Sequence, residues 1–333
     1  ASGKPIAHFL EFPPKTVPME HAPFSLITFC LILVFILATC LPFVKTAFAY
    51  TPAAKKKNTY PFPWWGFLSL AWVGTFWCLA WTRLDWFAPF QPHTFFPLWL
   101  GVIILINAAC FRQKGSCPLT KNTAAFVKLF PVSALFWWAF EFLNRFVGNW
   151  YYTGSEYPAL TYFCLATLSF STVLPAVESM KELLLNNDRI ANGFSFMAPM
   201  DWLSRKPVGW LLIVAGSICL ALISIFPETL FFTVWIAPFF ILLGYAVTKG
   251  LPHPFNGLLQ GDFTQVGAYA LAAVCCGVLW ELFNFYSLAR WTYSIPYVQV
   301  LHFFEMPILG YAGYLPFGLE CALIIHMIYP NDR

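Results

Sequence analysis

Charge is the scarcest property of this sequence. Asp, Glu, Lys and Arg make up 10% of the 333 residues, while 59% are hydrophobic. A soluble domain carries about 25% charged residues, so an exterior that faces water throughout is excluded. The net charge of +4 says little as a sum, because in a membrane protein the position of charge matters more. A basic patch of the nucleic-acid-binding kind is also missing, and Lys55, Lys56 and Lys57 read instead as a topology signal. No nucleic-acid partner is expected. The ten cysteines show no C-x-x-C, no C-x-x-C-H and no paired Cys/His spacing, which gives no support to a zinc site or a covalent haem. Cys30, Cys40, Cys219, Cys275 and Cys276 sit in apolar runs and read as buried free thiols. Nucleotide and redox motifs are absent as well. Neither a metal nor a cofactor is expected.

What the chain does have is long apolar runs. Runs near the 20 or so residues that cross a bilayer fall at 24–44, 64–82, 94–111, 126–147, 157–177, 207–226, 229–248, 264–286 and 303–328. They predict an all-α polytopic membrane protein of about nine transmembrane helices. Glu11 and Glu20 precede the first run, which is not the basic start of a leader peptide, so 24–44 is expected to be a retained helix. Of the 19 Lys and Arg residues, all but Lys4, Lys15, Arg83, Arg145 and Arg290 fall in loops on one side of this arrangement. The positive-inside rule then puts the N-terminus outside and the C-terminus in the cytoplasm, as expected of a protein of a bacterial inner membrane.

One phrase occurs twice. FWWAFEFLNRFVGNWYY spans 136–152 and LWELFNFYSLARWTY spans 279–293. With Glu141 set on Glu281, Asn144 falls on Asn284. After one inserted residue, Trp150 falls on Trp291 and Tyr152 on Tyr293. The alignment continues to Pro175 on Pro316. It predicts a tandem parallel repeat of two four-helix units. Residues 1–50 would be an outside tail and the first helix, 51–178 the first unit, 179–206 a cytoplasmic connecting loop and 207–333 the second unit. Glu-x-x-Asn sets both side chains on one helical face. A carboxylate at membrane depth is expected to face the bundle interior and to have a partner, and Arg145 and Arg290 lie on the same expected side.

The two halves also differ. His302 and Glu305 replace Thr161 and Cys164, again at i and i+3. Glu281, His302 and Glu305 are expected to meet in one outer-leaflet pocket, where a buried carboxyl suits a proton donor. A headgroup-level histidine bonded to solvent is the plainer reading of His302. The Glu/Asn pairs also have a plainer reading, as polar bonds between helices in a dry setting. The aromatic residues read equally well as interfacial anchors. No broken helix pair at matching midplane positions is expected.

Trp280, Glu281 and Asn284, followed by Trp291 and Tyr293 and then Glu305, form a phrase that resembles the membrane lycopene cyclases of the small-subunit type. Those proteins are also built from two related helical halves. The resemblance implies a proton-initiated, non-redox rearrangement of a polyene with Glu305 and Glu281 as acid/base groups. Asn284, His302, Trp291, Tyr293, Glu141 and Asn144 would then contact the substrate, an isoprenoid or carotenoid drawn from the membrane lipids. Two other readings stay open: a non-catalytic integral subunit of a larger membrane complex, and a proton-coupled transporter.

Overall fold

The computed structural model describes residues 6–14, 18–52, 59–154 and 156–329. Lys4, Lys15, Lys55–57 and Arg333, used above to orient the chain, lie outside the described residues. The protein is mostly helical. The longer helices are α1 (Leu26–Ala49), α2 (Trp64–Trp81), α3 (Phe95–Lys114), α4 (Thr123–Val147), α5 (Ala159–Phe170), α6 (Val173–Leu184), α7 (Lys206–Leu222), α8 (Ala237–Lys249), α9 (Thr264–Phe285) and α10 (Tyr314–Ile328). Two small antiparallel pairs complete the fold, β1 (Trp150–Thr153) with β2 (Arg290–Tyr293), and β3 (His302–Phe303) with β4 (Met306–Pro307).

Among the described residues six helical stretches are long and apolar enough to cross a membrane, or seven if one bent pair counts as a single span. All nine predicted runs contain helix, but four differ from expectation. Helix α2 has the length, yet its five indoles lower its hydropathy. Helix α7 is short at 17 residues. The run 229–248 is broken: Pro227–Trp235 and α8 meet at 49°, at a place where Pro238 cannot donate a backbone hydrogen bond. The run 303–328 opens as the β3–β4 hairpin and a 3-10 helix at Ile308–Gly313, and becomes α-helical only at Tyr314.

Helix ends follow local chemistry. Ser25 caps α1, its Oγ accepting from Thr28 N at 3.3 Å, and Asn122 caps α4 through Ala125 N at 3.1 Å. Gly148, at φ +62°, closes α4 in the left-handed conformation that glycine adopts without steric cost. The connecting segment 179–206 is partly helical. Helix α6 runs on through Leu184, and a one-turn helix, Asp188–Asn192, follows.

The core lies where α6 and α10 pack between α3, α4, α8 and α9. Leu174, Val177, Phe317, Cys321 and Ala273 are fully buried there. Helices α7 and α8 approach with backbones nearly touching. A Cβ on Gly209 would stand 2.9 Å from Gly244 O, a spacing of small residues that lets apolar helices pack tightly. Helix α1 is different, since no residue along it is buried.

Candidate functional site

Glu141 and Asn144 share a buried face of α4. Gly148 then turns the chain so that β1 folds back over that face. Asn144 fixes the strand from both sides: its Nδ2 donates to Trp150 O at 2.7 Å and its Oδ1 accepts from Trp150 N at 3.3 Å. Side chains two apart on a strand share a face, so Trp150 and Tyr152 both reach back to the carboxylate. Trp150 Nε1 donates to Glu141 Oε1 at 3.1 Å and Tyr152 Oη at 2.6 Å. Trp137, one turn before Glu141, adds an indole N–H at 2.9 Å.

The second half repeats this wiring. Asn284 Nδ2 donates to Trp291 O at 2.7 Å and Asn284 Oδ1 accepts from Trp291 N at 2.9 Å. Trp291 Nε1 at 3.2 Å and Tyr293 Oη at 2.6 Å then donate to Glu281 Oε1. Only the third donor differs. Tyr314 Oη, from α10, approaches Glu281 Oε1 at 3.2 Å. In the alignment Tyr314 stands on Val173, and Gly277 stands on Trp137. The two exchanges are linked, because a Cβ on Gly277 would overlap the Tyr314 ring. The first half donates from its own helix, and the second removes that side chain and donates from the next.

The two clusters meet through the strand pair. Trp150 faces Tyr293, Tyr151 faces Thr292 and Tyr152 faces Trp291, a register symmetric about its centre. Burial first, and then the neighbouring carboxylates Glu141 and Glu281, hold the Tyr152 and Tyr293 phenols well above their ordinary range. Both therefore remain donors. Glu281 Oε2 is buried without a hydrogen-bond partner.

A cavity of about 1920 Å³ lies against these clusters. Trp150, Tyr152, Trp291, Tyr293 and Tyr314 form part of its wall, whereas Glu141 and Glu281 do not line it. The aromatic rings thus lie between the cavity and the carboxylates that take their N–H and O–H groups. Another wall is α1, which lines the cavity from Thr28 to Phe48.

The other expected site residues lie elsewhere. Glu305 sits at the β3–β4 turn, only partly buried, with Arg290 Nη1 at 3.3 Å. His302 is exposed and meets Gln299 Nε2 at 3.1 Å. The two are therefore not on one helical turn, because the hairpin replaces the expected start of the last helix. Neither lines the cavity. The arginines do not pair with the repeated carboxylates as anticipated. Arg290 takes Glu305, and Arg145 Nη1 donates to Phe9 O at 2.6 Å.

Trp137 and Tyr314 were not anticipated. Trp137 stands four residues before Glu141, one turn away on the same face, and that spacing was readable. Tyr314 carried no signal of its own beyond the paired mismatch with Val173 and Gly277. Among the described residues no group of three His, Cys, Asp or Glu side chains is placed to hold a metal ion. Comparison of the chain with known protein families, with curated proteins and with solved structures finds no match in any of them.

Proposed function

We propose that this integral membrane protein binds an isoprenoid-type lipid in the cavity between α1 and the rest of the chain. The observation that carries the reading is the cavity wall: aromatic rings whose polar atoms are bound to Glu141 and Glu281 behind them. Such a wall offers an elongated apolar ligand large π-faces. Its volume, about 1920 Å³, exceeds the roughly 300–1,000 Å³ of ordinary small-molecule sites. The chemistry on offer is acid–base, with the Glu281 carboxyl held directly behind the Tyr293 and Tyr314 rings of the wall. A lycopene cyclase-like isomerisation or cyclisation would use it.

Within the same proposal the chain has nine spans, the N-terminal end of α1 outside and the C-terminus in the cytoplasm of a bacterial inner membrane. Helices α2 to α6 and α7 to α10 are two copies of one unit. Helices α4 and α9 both end at the β1–β2 pair, so they run the same way, as a parallel repeat requires. The packing is also duplicated: α2 on α3 matches α7 on α8, and α4 on α6 matches α9 on α10.

The test is gentle purification, organic extraction and identification of what co-purifies by absorbance and mass. A stoichiometric isoprenoid is the expected result, and Glu281→Gln is expected to retain it while losing any turnover. Bulk phospholipid alone, with companion polypeptides, would overturn the reading. It would instead favour a non-catalytic subunit of a larger membrane complex, for which the unburied length of α1 speaks. The transporter reading gains the break before α8, but its counterpart α3 is continuous, whereas transporters of this kind break both copies.

A further inference from the structure

Among the described residues, the hydrogen bonds that tie α1 and the segment ahead of it to the rest of the chain lie at its two ends. Ahead of its N-terminal end, Glu228 grips the segment that leads into the helix: His21 Nδ1 lies 2.7 Å from Glu228 Oε1, and Ala22 N donates to Glu228 Oε2 at 2.8 Å. His21 Nε2 also faces Gly148 O at 3.4 Å. Tyr297, in a left-handed conformation at φ +65°, clips the same segment through Ser25 N at 3.1 Å and Ala22 O at 3.3 Å. At the other end Arg189 Nη1 donates to the carbonyls of Ala47, Phe48 and Tyr50 at 3.1–3.2 Å. A cation over the last carbonyls is the favoured arrangement at a helix C-terminus, and Phe43 adds ring contacts to Phe194 and Phe263. Between these clasps Leu31, Phe35 and Thr39 line the cavity. The side-chain hydrogen bonds of that stretch stay inside α1, as with Thr39 Oγ1 to Phe35 O at 2.8 Å.

We propose that α1 is a movable side wall of the cavity, and that the ligand enters from the lipid phase by displacing it. The inference rests on the reading of the cavity as a lipid site, and it concerns how that site is reached. A long helix with no buried residue resists displacement chiefly through its end contacts. Leu31 and Phe35 line the cavity, whereas Val34 and Leu41 are exposed and do not line it, so α1 forms a wall one helix thick between cavity and bilayer. A ligand crossing that wall never needs to enter water, so the site selects for a membrane-dissolved molecule.

The test uses the full chain in nanodiscs, with Cys30 on α1 and Cys164 on α5, both exposed, as the only retained cysteines and spin labels on both. A single distance is expected in the parent. Glu228→Ala or Arg189→Ala, each loosening one clasp, is expected to add a second, longer population. One unchanged distance in both variants would overturn the movable wall. A second readout is energy transfer from the cavity tryptophans to added retinol, an isoprenoid alcohol. Either variant is expected to speed its onset about tenfold with an unchanged final amplitude. Equal rates in parent and variants would overturn entry past α1. No transfer in any of them would overturn the lipid-site reading itself, and the spin-label distances would still decide whether α1 moves.

Discussion

Glu281 is fully buried, and three donors converge on one of its oxygens. Removing the acceptor takes it from the Tyr293 and Tyr314 hydroxyls, at about 1–3 kcal/mol each, while Trp291 Nε1 keeps its bond to Tyr293 Oη at 2.8 Å. Glu281→Leu is therefore expected to lower the thermal midpoint in detergent by much more than Glu281→Gln, which keeps one carbonyl acceptor. Equal midpoints would mean that the donors have other partners. The Gly277/Tyr314 exchange allows a sharper test. Gly277→Trp alone drives an indole into the Tyr314 ring, and overpacking costs about 1–3 kcal/mol or more. Tyr314→Val alone removes a packed ring and leaves a void. Together they recreate in the second half the donor set that Trp137, Trp150 and Tyr152 give Glu141. The double variant is expected to be more stable than the sum of the singles, read from a thermal-unfolding cycle. Strict additivity would show that the two positions are not alternatives. The Glu-x-x-Asn and Trp-x-Tyr grammar was legible in the sequence because all its members lie within one helix and the strand after it. The Tyr314 contact was not, because it joins residues 33 apart and neither end of it follows a helical or strand period.

Between elements, the same limit applies to charge. Lys181 and Glu182 fall in the segment expected to connect the two units on the cytoplasmic side. In the structure Lys181 is fully buried between Glu178 Oε1 at 2.8 Å and Glu182 Oε1 at 2.7 Å. Its ammonium also lies 5.1 Å from the centre of the Tyr269 ring, and Tyr269 Oη donates to Glu178 Oε2 at 2.7 Å. This network joins α6 to α9. Counting charges along a chain cannot show that they neutralise one another in space. Breaking a buried pair from one side costs about 3–5 kcal/mol, whereas replacing both partners costs far less. Lys181→Met is thus expected to be strongly destabilising and Lys181→Met with Glu178→Gln to recover most of the loss, as measured by unfolding midpoints. A second region contributes a pH dependence. In the loop after α8, burial and then the nearby His326 push the His253 imidazole down to about 4 from 6.5, and its Nδ1 accepts from Phe255 N at 3.2 Å. The unfolded chain takes up that proton first, so stability contributed by neutral His253 is present above about pH 6.5 and lost as pH falls toward 4. His253→Gln is expected to flatten that part of the profile, and an unchanged slope would assign it to other groups.

At the scale of the whole molecule, the apolar runs revealed the membrane class because burial in lipid demands nearly uniform apolar composition over each crossing. They did not reveal the break before α8 or the hairpin ahead of α10, where local backbone geometry overrides composition. What the duplicated wiring adds is direction. Helices α4 and α9 both deliver their Trp-x-Tyr strands to one shared ribbon, so corresponding points of the two halves lie at the same end of the bundle. Gln113 near the end of α3 and Lys249 at the end of α8, helices that correspond in the proposed repeat, are both exposed at the end away from the ribbon. Glu156 and Leu288 are exposed near the ribbon. In a cysteine-depleted background, single cysteines at Glu156 and Leu288 are expected to react with a membrane-impermeant maleimide added to whole cells. Cysteines at Gln113 and Lys249 are expected to react only after lysis. Swapped accessibility of both pairs would reverse the proposed orientation and leave the parallel repeat standing. Gln113 and Lys249 on opposite sides would overturn the repeat itself, because two copies running the same way cannot place equivalent positions across the bilayer from each other.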